Sequence, residues 1–219
     1  EVERALADPD QPPLYCETCP QYFWLDDSYY ATPDAERYIL QPPLRPQGWM
    51  VDLLAAQGTL SAVSTDHCDY TIAQKQEFTE FTRTPGGLPG LETSFALTYT
   101  YAVRQADESA SEDVPLSLPE LARLMSAEPA RIFGLYPRKG ALLPGSDADV
   151  LIYDPAPETV IRAADQHAVA GYTPYEGIRV QGRVRTVLSR GDVIVRDGAL
   201  HADPGRGQFV HGTPFMPLA

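Results

Sequence analysis

The chain has 219 residues, 43% hydrophobic and 21% charged, a balance that suits one globular domain or parts of two. A net charge of −13 without clustered Lys or Arg argues against nucleic-acid binding and reads as a solvated acidic surface. No apolar run approaches the ~18 residues of a membrane span, no basic-then-apolar leader opens the sequence, and three cysteines cannot complete a disulfide framework. A reducing, cytoplasmic setting without membrane contact is therefore expected.

In chain order, EVERALAD has a helical pattern that begins at Glu1, as though inside a domain, and breaks in the Pro-rich turn Asp8–Pro13. Leu14 to Cys19 reads as a short buried strand, and Asp26-Asp27-Ser28 can cap a brief helix after the apolar Tyr22–Leu25. Tyr38 to Arg45 is extended, because residues before Pro42 and Pro43 avoid the helical region. Trp49–Gln57 has helical apolar spacing and stops at Gly58. A second strand follows and ends in Ser64-Thr65-Asp66-His67-Cys68. Strand, loop, helix, strand is a βα repeat, so Leu14 to Cys68 is expected to hold two neighbouring parallel strands.

Thr84 to Gly90 is a Gly/Pro loop expected near the carboxyl end of that strand, and Phe95 to Val103 is expected to be helical. Ser117-Leu118-Pro119-Glu120 has the form of a capping box, and Pro129 opens a further short turn through Phe133. After Gly140 the pattern changes to short strands: 150–153, 159–161, 178–180, 184–188 and 193–195. Arg190-Gly191-Asp192 makes a hairpin turn among them.

Polar, metal-capable side chains at a strand's carboxyl end occupy the place where α/β barrels keep their chemistry, which makes Asp66 the leading candidate. The four histidines (His67, His167, His201, His211) show no ligand-pair spacing, so most partners of an Asp66-bound metal are not expected in this chain. Cys16-Glu17-Thr18-Cys19 has CxxC spacing. It lacks the second pair of a zinc site and the following helix of a redox motif, and reads better as small residues closing a strand.

Pro129–Gly134, Lys139-Gly140 and Gly145–Asp154 resemble the end of cyclic amidohydrolases, where a last barrel helix hands over to a β-sandwich. Gly134–Gly140, Pro174–Gly177, Cys19–Tyr22, Pro42–Arg45 and Asp66-His67-Cys68 resemble the dihydropyrimidinase/hydantoinase branch in particular. The resemblance implies an α/β fold: the C-terminal part of a metal-dependent (β/α)8 TIM barrel over 1–139, then a small β-sandwich domain and tail over 140–219. It implies hydrolysis of a cyclic amide or ureide, such as a hydantoin or dihydropyrimidine, with two divalent metal ions, usually zinc. The remaining ligands and the N-terminal half of the same protein would lie before Glu1, leaving this chain inactive alone, and a homo-oligomer, commonly a tetramer, is implied.

Residue by residue, Asp66 matches the family's metal-binding aspartate, which also serves as proton acceptor and donor. Gln41 and Gly86 stand where substrate-lining residues, typically Ser and Asn, are found. Asp69 replaces a usual proline and puts a negative charge near the substrate entrance, and Ser94 stands where Arg is common. His67 is expected to support the site or to pack rather than bind metal. Allantoinase- or dihydroorotase-type hydrolysis and a non-catalytic assembly protein are the alternatives.

Overall fold

The computed structural model describes residues 13–46, 59–108 and 116–213. The expected helix over EVERALAD, the turn after Asp8 as far as Pro12, the Trp49–Gln57 helix and its stop at Gly58 lie outside the described residues.

Two short strands, β1 (Glu17–Thr18) and β2 (Ala62–Val63), pair in parallel, Glu17 with Ala62 and Thr18 with Val63. Flanking bonds from Ser61 N to Cys16 O (2.8 Å) and Ser64 N to Thr18 O (2.9 Å) extend the ladder. This is the parallel pair that a βα repeat requires. Pro20 then starts α1 (Gln21–Trp24), its missing N–H costing nothing at a helix start. Asp26 caps a 3-10 turn over Asp27–Ala31 by accepting from Ser28 N at 2.8 Å. The short helix α2 (Ile72–Lys75) has a full capping box, with Thr71 and Gln74 satisfying each other's backbone amides.

The long helix α3 (Ser94–Glu108) contains the expected Phe95–Val103 segment. Its threonines are tolerated because Thr98 and Thr100 donate their hydroxyls back to the carbonyls of Ser94 (2.8 Å) and Ala96 (2.7 Å). Ser117 caps α4 (Leu118–Ala122), but only half of the expected box forms. Glu120 N reaches Ser117 Oγ, while the Glu120 carboxylate turns to Arg123 Nε at 2.7 Å. Instead of a separate turn at Pro129, the helix continues through a π segment (Arg123–Ala127) into α5 (Glu128–Ile132), Glu128 N–H reaching back to Arg123 O. A proline inside a helix lacks one amide and crowds the carbonyl four residues earlier, and a widened turn accommodates both.

Beyond residue 140 a four-stranded antiparallel sheet forms in the order β3-β4-β5-β6: Val150–Val160, Arg179–Ser189, Asp192–Arg196 and Ala199–Leu200. The segments expected as separate strands at 150–153 and 159–161 belong to one strand, with a register shift between Asp154 and Glu158 that absorbs Pro155 and Pro157. The turns Arg190-Gly191 and Asp197-Gly198 both have positive φ at each residue, the geometry of two-residue hairpins. Helix α3 packs on β4, with Gln181 N donating to Thr100 Oγ at 2.8 Å and Tyr153 resting against Phe95 and Tyr99. No helix among the described residues is long and apolar enough to cross a membrane.

The main core joins Leu25, Leu40, Leu88 and Leu97 to Ile161, Tyr175 and Val180, so it crosses residue 140, where the sequence changes character. Leu97 is wholly buried in it, whereas Leu118 is 54% exposed. Leu97→Ala is expected to destabilise the chain by about 2–5 kcal/mol, lost apolar transfer plus a cavity. Leu118→Ala should stay within about 0.5 kcal/mol. Urea denaturation of both variants checks this, and equal shifts would contradict the assigned core.

Candidate functional site

Three residues beyond Val63 the chain turns sharply at Asp66, whose φ of +45° is left-handed, a region Asp enters more readily than most residues. Thr65 Oγ accepts from His67 N at 3.2 Å and tightens this turn, leaving Asp66 exposed at the carboxyl end of β2. Its charge reaches the buried Cys19 and the half-buried Tyr22 at the neighbouring strand end. Burial pushes the Cys19 thiol up to about 11, a hydrogen bond with Ser64 offsetting part of this and Glu17 and Asp66 adding to it. Burial likewise raises Tyr22, with Cys19 and Asp66 pushing the same way. Both therefore stay neutral at physiological pH, and Tyr22 donates its hydroxyl to Pro42 O at 2.7 Å.

That bond brings the segment around Gln41 toward the strand ends. A Cβ at Gly86 would sit 3.5 Å from Gln41 Cγ, so the two positions nearly touch. Gln41 also lines a cleft of about 660 Å³ with Tyr30, Ile39, Pro43 and Phe81. The loop carrying Gly86 runs beside the turn after β2, with Cys68 N donating to Leu88 O at 2.9 Å. Gly87 permits this closeness, since a Cβ there would lie 2.6 Å from Cys68 Cβ. Beneath both loops lies Lys75, wholly buried, whose ammonium donates to Ile39 O (2.7 Å) and Pro85 O (2.8 Å).

Comparison with known proteins places this arrangement. The Amidohydrolase family model matches residues 47–194. The chain belongs to the amidohydrolase family. It is 40% identical over 216 residues to a D-phenylhydantoinase of Escherichia coli O1:K1, a match covering 97% of this chain and 45% of that protein. Among solved structures it resembles a dihydropyrimidinase from Brevibacillus agri, with TM-score 0.85, 33% identity, and 92% of this chain and 43% of that one covered. It also resembles a D-hydantoinase (dihydropyrimidinase) from Thermus sp., with TM-score 0.84, 34% identity, and 98% and 46% covered. The chain thus has the fold of the C-terminal part of these barrel enzymes, and spans about 45% of the length of the curated relatives it matches.

Within this amidohydrolase chain the histidines do not gather around Asp66. His67 Nδ1 accepts from Gly90 N (3.1 Å) and Leu91 N (3.3 Å), so by this bonding pattern the neutral ring carries its proton on Nε2. A protonated Nε2, 3.7 Å from Asp69, has no lone pair for a metal, and His67 instead orders the 89–93 loop. His167 pairs with Glu92 at 2.7 Å, while His201 and His211 belong to the β6 segment and the tail. Asp69, anticipated as an extra charge at the substrate entrance, accepts from Val169 N at 3.0 Å and anchors the β3–β4 crossover. Ser94 turns its hydroxyl to Leu91 O at 3.0 Å. Cys16 and Cys19 are free thiols that flank β1, and the helix expected to be missing after the pair is present as the one-turn α1.

Sequence reasoning missed Lys75 and the Tyr22 hydroxyl. A lysine in a four-residue helix carries no periodic signal. The one clue was the capping pair Thr71/Gln74, which fixes the turn that aims it inward.

Burial lowers Lys75 from 10.5 to about 8, with Cys68 and Glu36 partly opposing the shift. The folded chain therefore releases this proton near pH 8 and the unfolded chain near 10.5. Between those values the unfolded state binds more protons, so stability rises with pH; below about 8 the full cost of burying the charge is present. Comparing Lys75→Met with the wild type isolates this effect from the raised tyrosines, which act oppositely above about pH 10. The stability difference should move in favour of the wild type between about pH 8 and 10 in denaturation series. Parallel pH profiles would refute the buried-cation assignment.

Proposed function

We propose that this chain supplies the C-terminal half of an enzyme that opens cyclic amides or ureides of the hydantoin or dihydropyrimidine type by hydrolysis. The observation that carries this reading is the exposed Asp66 carboxylate at the carboxyl end of β2, with the Gln41 segment linked through Tyr22 to the neighbouring end of β1. The relatives' names, D-phenylhydantoinase and dihydropyrimidinase, support the substrate class.

In the proposed reaction Asp66 accepts a proton from the water that attacks the ring carbonyl. It delivers that proton to the ring nitrogen as the C–N bond breaks, leaving a carboxylate and an opened amide. An ionised carboxylate is acceptor-only, which suits it to hold a proton briefly between two nearby atoms. Gln41 offers both a carbonyl and an amide N–H2 to the cyclic amide, and Gly86, lacking a side chain, lets main chain approach the ring.

Among the described residues no three His, Cys, Asp or Glu side chains converge as an ion's ligands would. These residues by themselves do not fit the two divalent ions, zinc by resemblance, that the family implies, and Asp66 would be this chain's contribution to such a centre. The other ligands would come from the N-terminal half, and the working form would be a homo-oligomer.

In the complete enzyme containing this sequence, Asp66→Asn is expected to lower kcat for dihydrouracil or hydantoin by about 10² to 10⁴-fold, the usual weight of positioned acid–base catalysis. Asn preserves shape but cannot take the proton. Turnover unchanged in a folded variant would end the assignment.

A further inference from the structure

Lys75 is a buried cation whose placement the proposed chemistry has not used. No carboxylate stands within ion-pair distance of it among the described residues; its polar contacts are the two main-chain carbonyls of Ile39 and Pro85. Ile39 O also accepts from Gly87 N at 3.0 Å, so one ammonium and one amide converge on a single carbonyl. Ile39 lies two residues before Gln41, and Pro85 directly precedes Gly86. The two segments share no strand ladder; the Gly87 bond joins them directly, and the other two join them through Lys75.

The donor is itself pinned. Thr71 and Gln74 cap α2, Ile72 N donates to Ala170 O at 3.2 Å, and Gln76 Nε2 donates to Glu36 Oε1 at 2.9 Å. A side chain serving only to fill space would be replaced at lower desolvation cost by methionine, since a buried charge without a counter-charge is expensive. What methionine cannot supply is an ammonium whose three N–H donors reach two carbonyls at once.

We infer that Lys75 is a positioning residue whose ammonium holds the Gln41 segment against the Gly86 loop, fixing the binding edge that the two form together for the cyclic amide. The inference rests on the hydrolase reading for its substrate, though not for its geometry. Losing the clamp lets the two binding edges move apart while Asp66, on a different segment, keeps its place. Weakened ground-state and transition-state binding in equal measure appears as a higher KM at unchanged kcat.

Two measurements on Lys75→Met decide the matter. In the complete enzyme, KM for dihydrouracil is expected to rise about tenfold with kcat within about threefold of wild type. In the 219-residue chain, hydrogen exchange at the Gly87 amide should accelerate at least about tenfold while the Leu97 amide in α3 is unmoved. If both amides accelerate together, or if KM is unchanged in folded enzyme, the assignment is overturned. A wild type without turnover would remove the hydrolase reading and leave the Gly87 exchange to decide the clamp. Should Lys75→Met fail to fold, the Lys75 ammonium resonance of the wild type serves instead: slowly exchanging, hydrogen-bonded N–H protons support the clamp, and rapid exchange refutes it.

Discussion

A main-chain segment without a ladder must find other partners for its amides and carbonyls, and that requirement governs residues 39–45. Ile39 O takes Lys75 and Gly87 N, Pro42 O takes the Tyr22 hydroxyl, Leu44 N donates to Tyr30 Oη at 2.8 Å, and Arg45 O takes Asp27 N. Each of these groups would cost free energy if buried alone, so each bond stabilises one particular path of the segment. With two prolines in the run, no strand partner could have done the same work. The edge of the candidate site is thus held by side chains reaching from three separate elements.

Electrostatics keeps that scaffold intact. Tyr22 serves as a donor only while protonated, and burial, with the nearby Asp66 carboxylate, keeps it so. Cys19, raised to about 11, stays a thiol and adds no second anion beside Asp66 at neutral pH.

Much of this was legible in the sequence, for identifiable reasons. The β1–β2 pair followed from a strand–helix–strand order, the Ser117 cap from its spacing, and the Arg190-Gly191 hairpin from turn chemistry. Asp66 stood out because an apolar run ended in a polar cluster. The merging of 150–153 with 159–161 was hidden because Pro155 and Pro157 read as breakers, whereas an edge strand with a register shift tolerates them. Gln41 and Gly86 could be singled out only by resemblance. Their adjacency depends on a lysine over 30 positions from one and 11 from the other, and no local pattern encodes a bond of that kind.

The same long-range logic connects the sheet to the site. The β3–β4 crossover carries Val169 to Asp69, Ala170 O to the first amide of α2, and the Tyr172 hydroxyl to Arg37 O. The first amides of a helix have no partner within it, so Ala170 satisfies a group that a four-residue helix could hardly leave open. α2 in turn aims Lys75 beneath the two loops. The crossover is itself fixed by Tyr175, buried in the common core with Leu25 and Leu97. The position of the cleft edge is therefore set jointly by the β-sheet region and the barrel strands. A change at Tyr175, far along the chain from Gln41, would reach it through the crossover, α2 and Lys75 in turn, without altering any residue that faces the cleft.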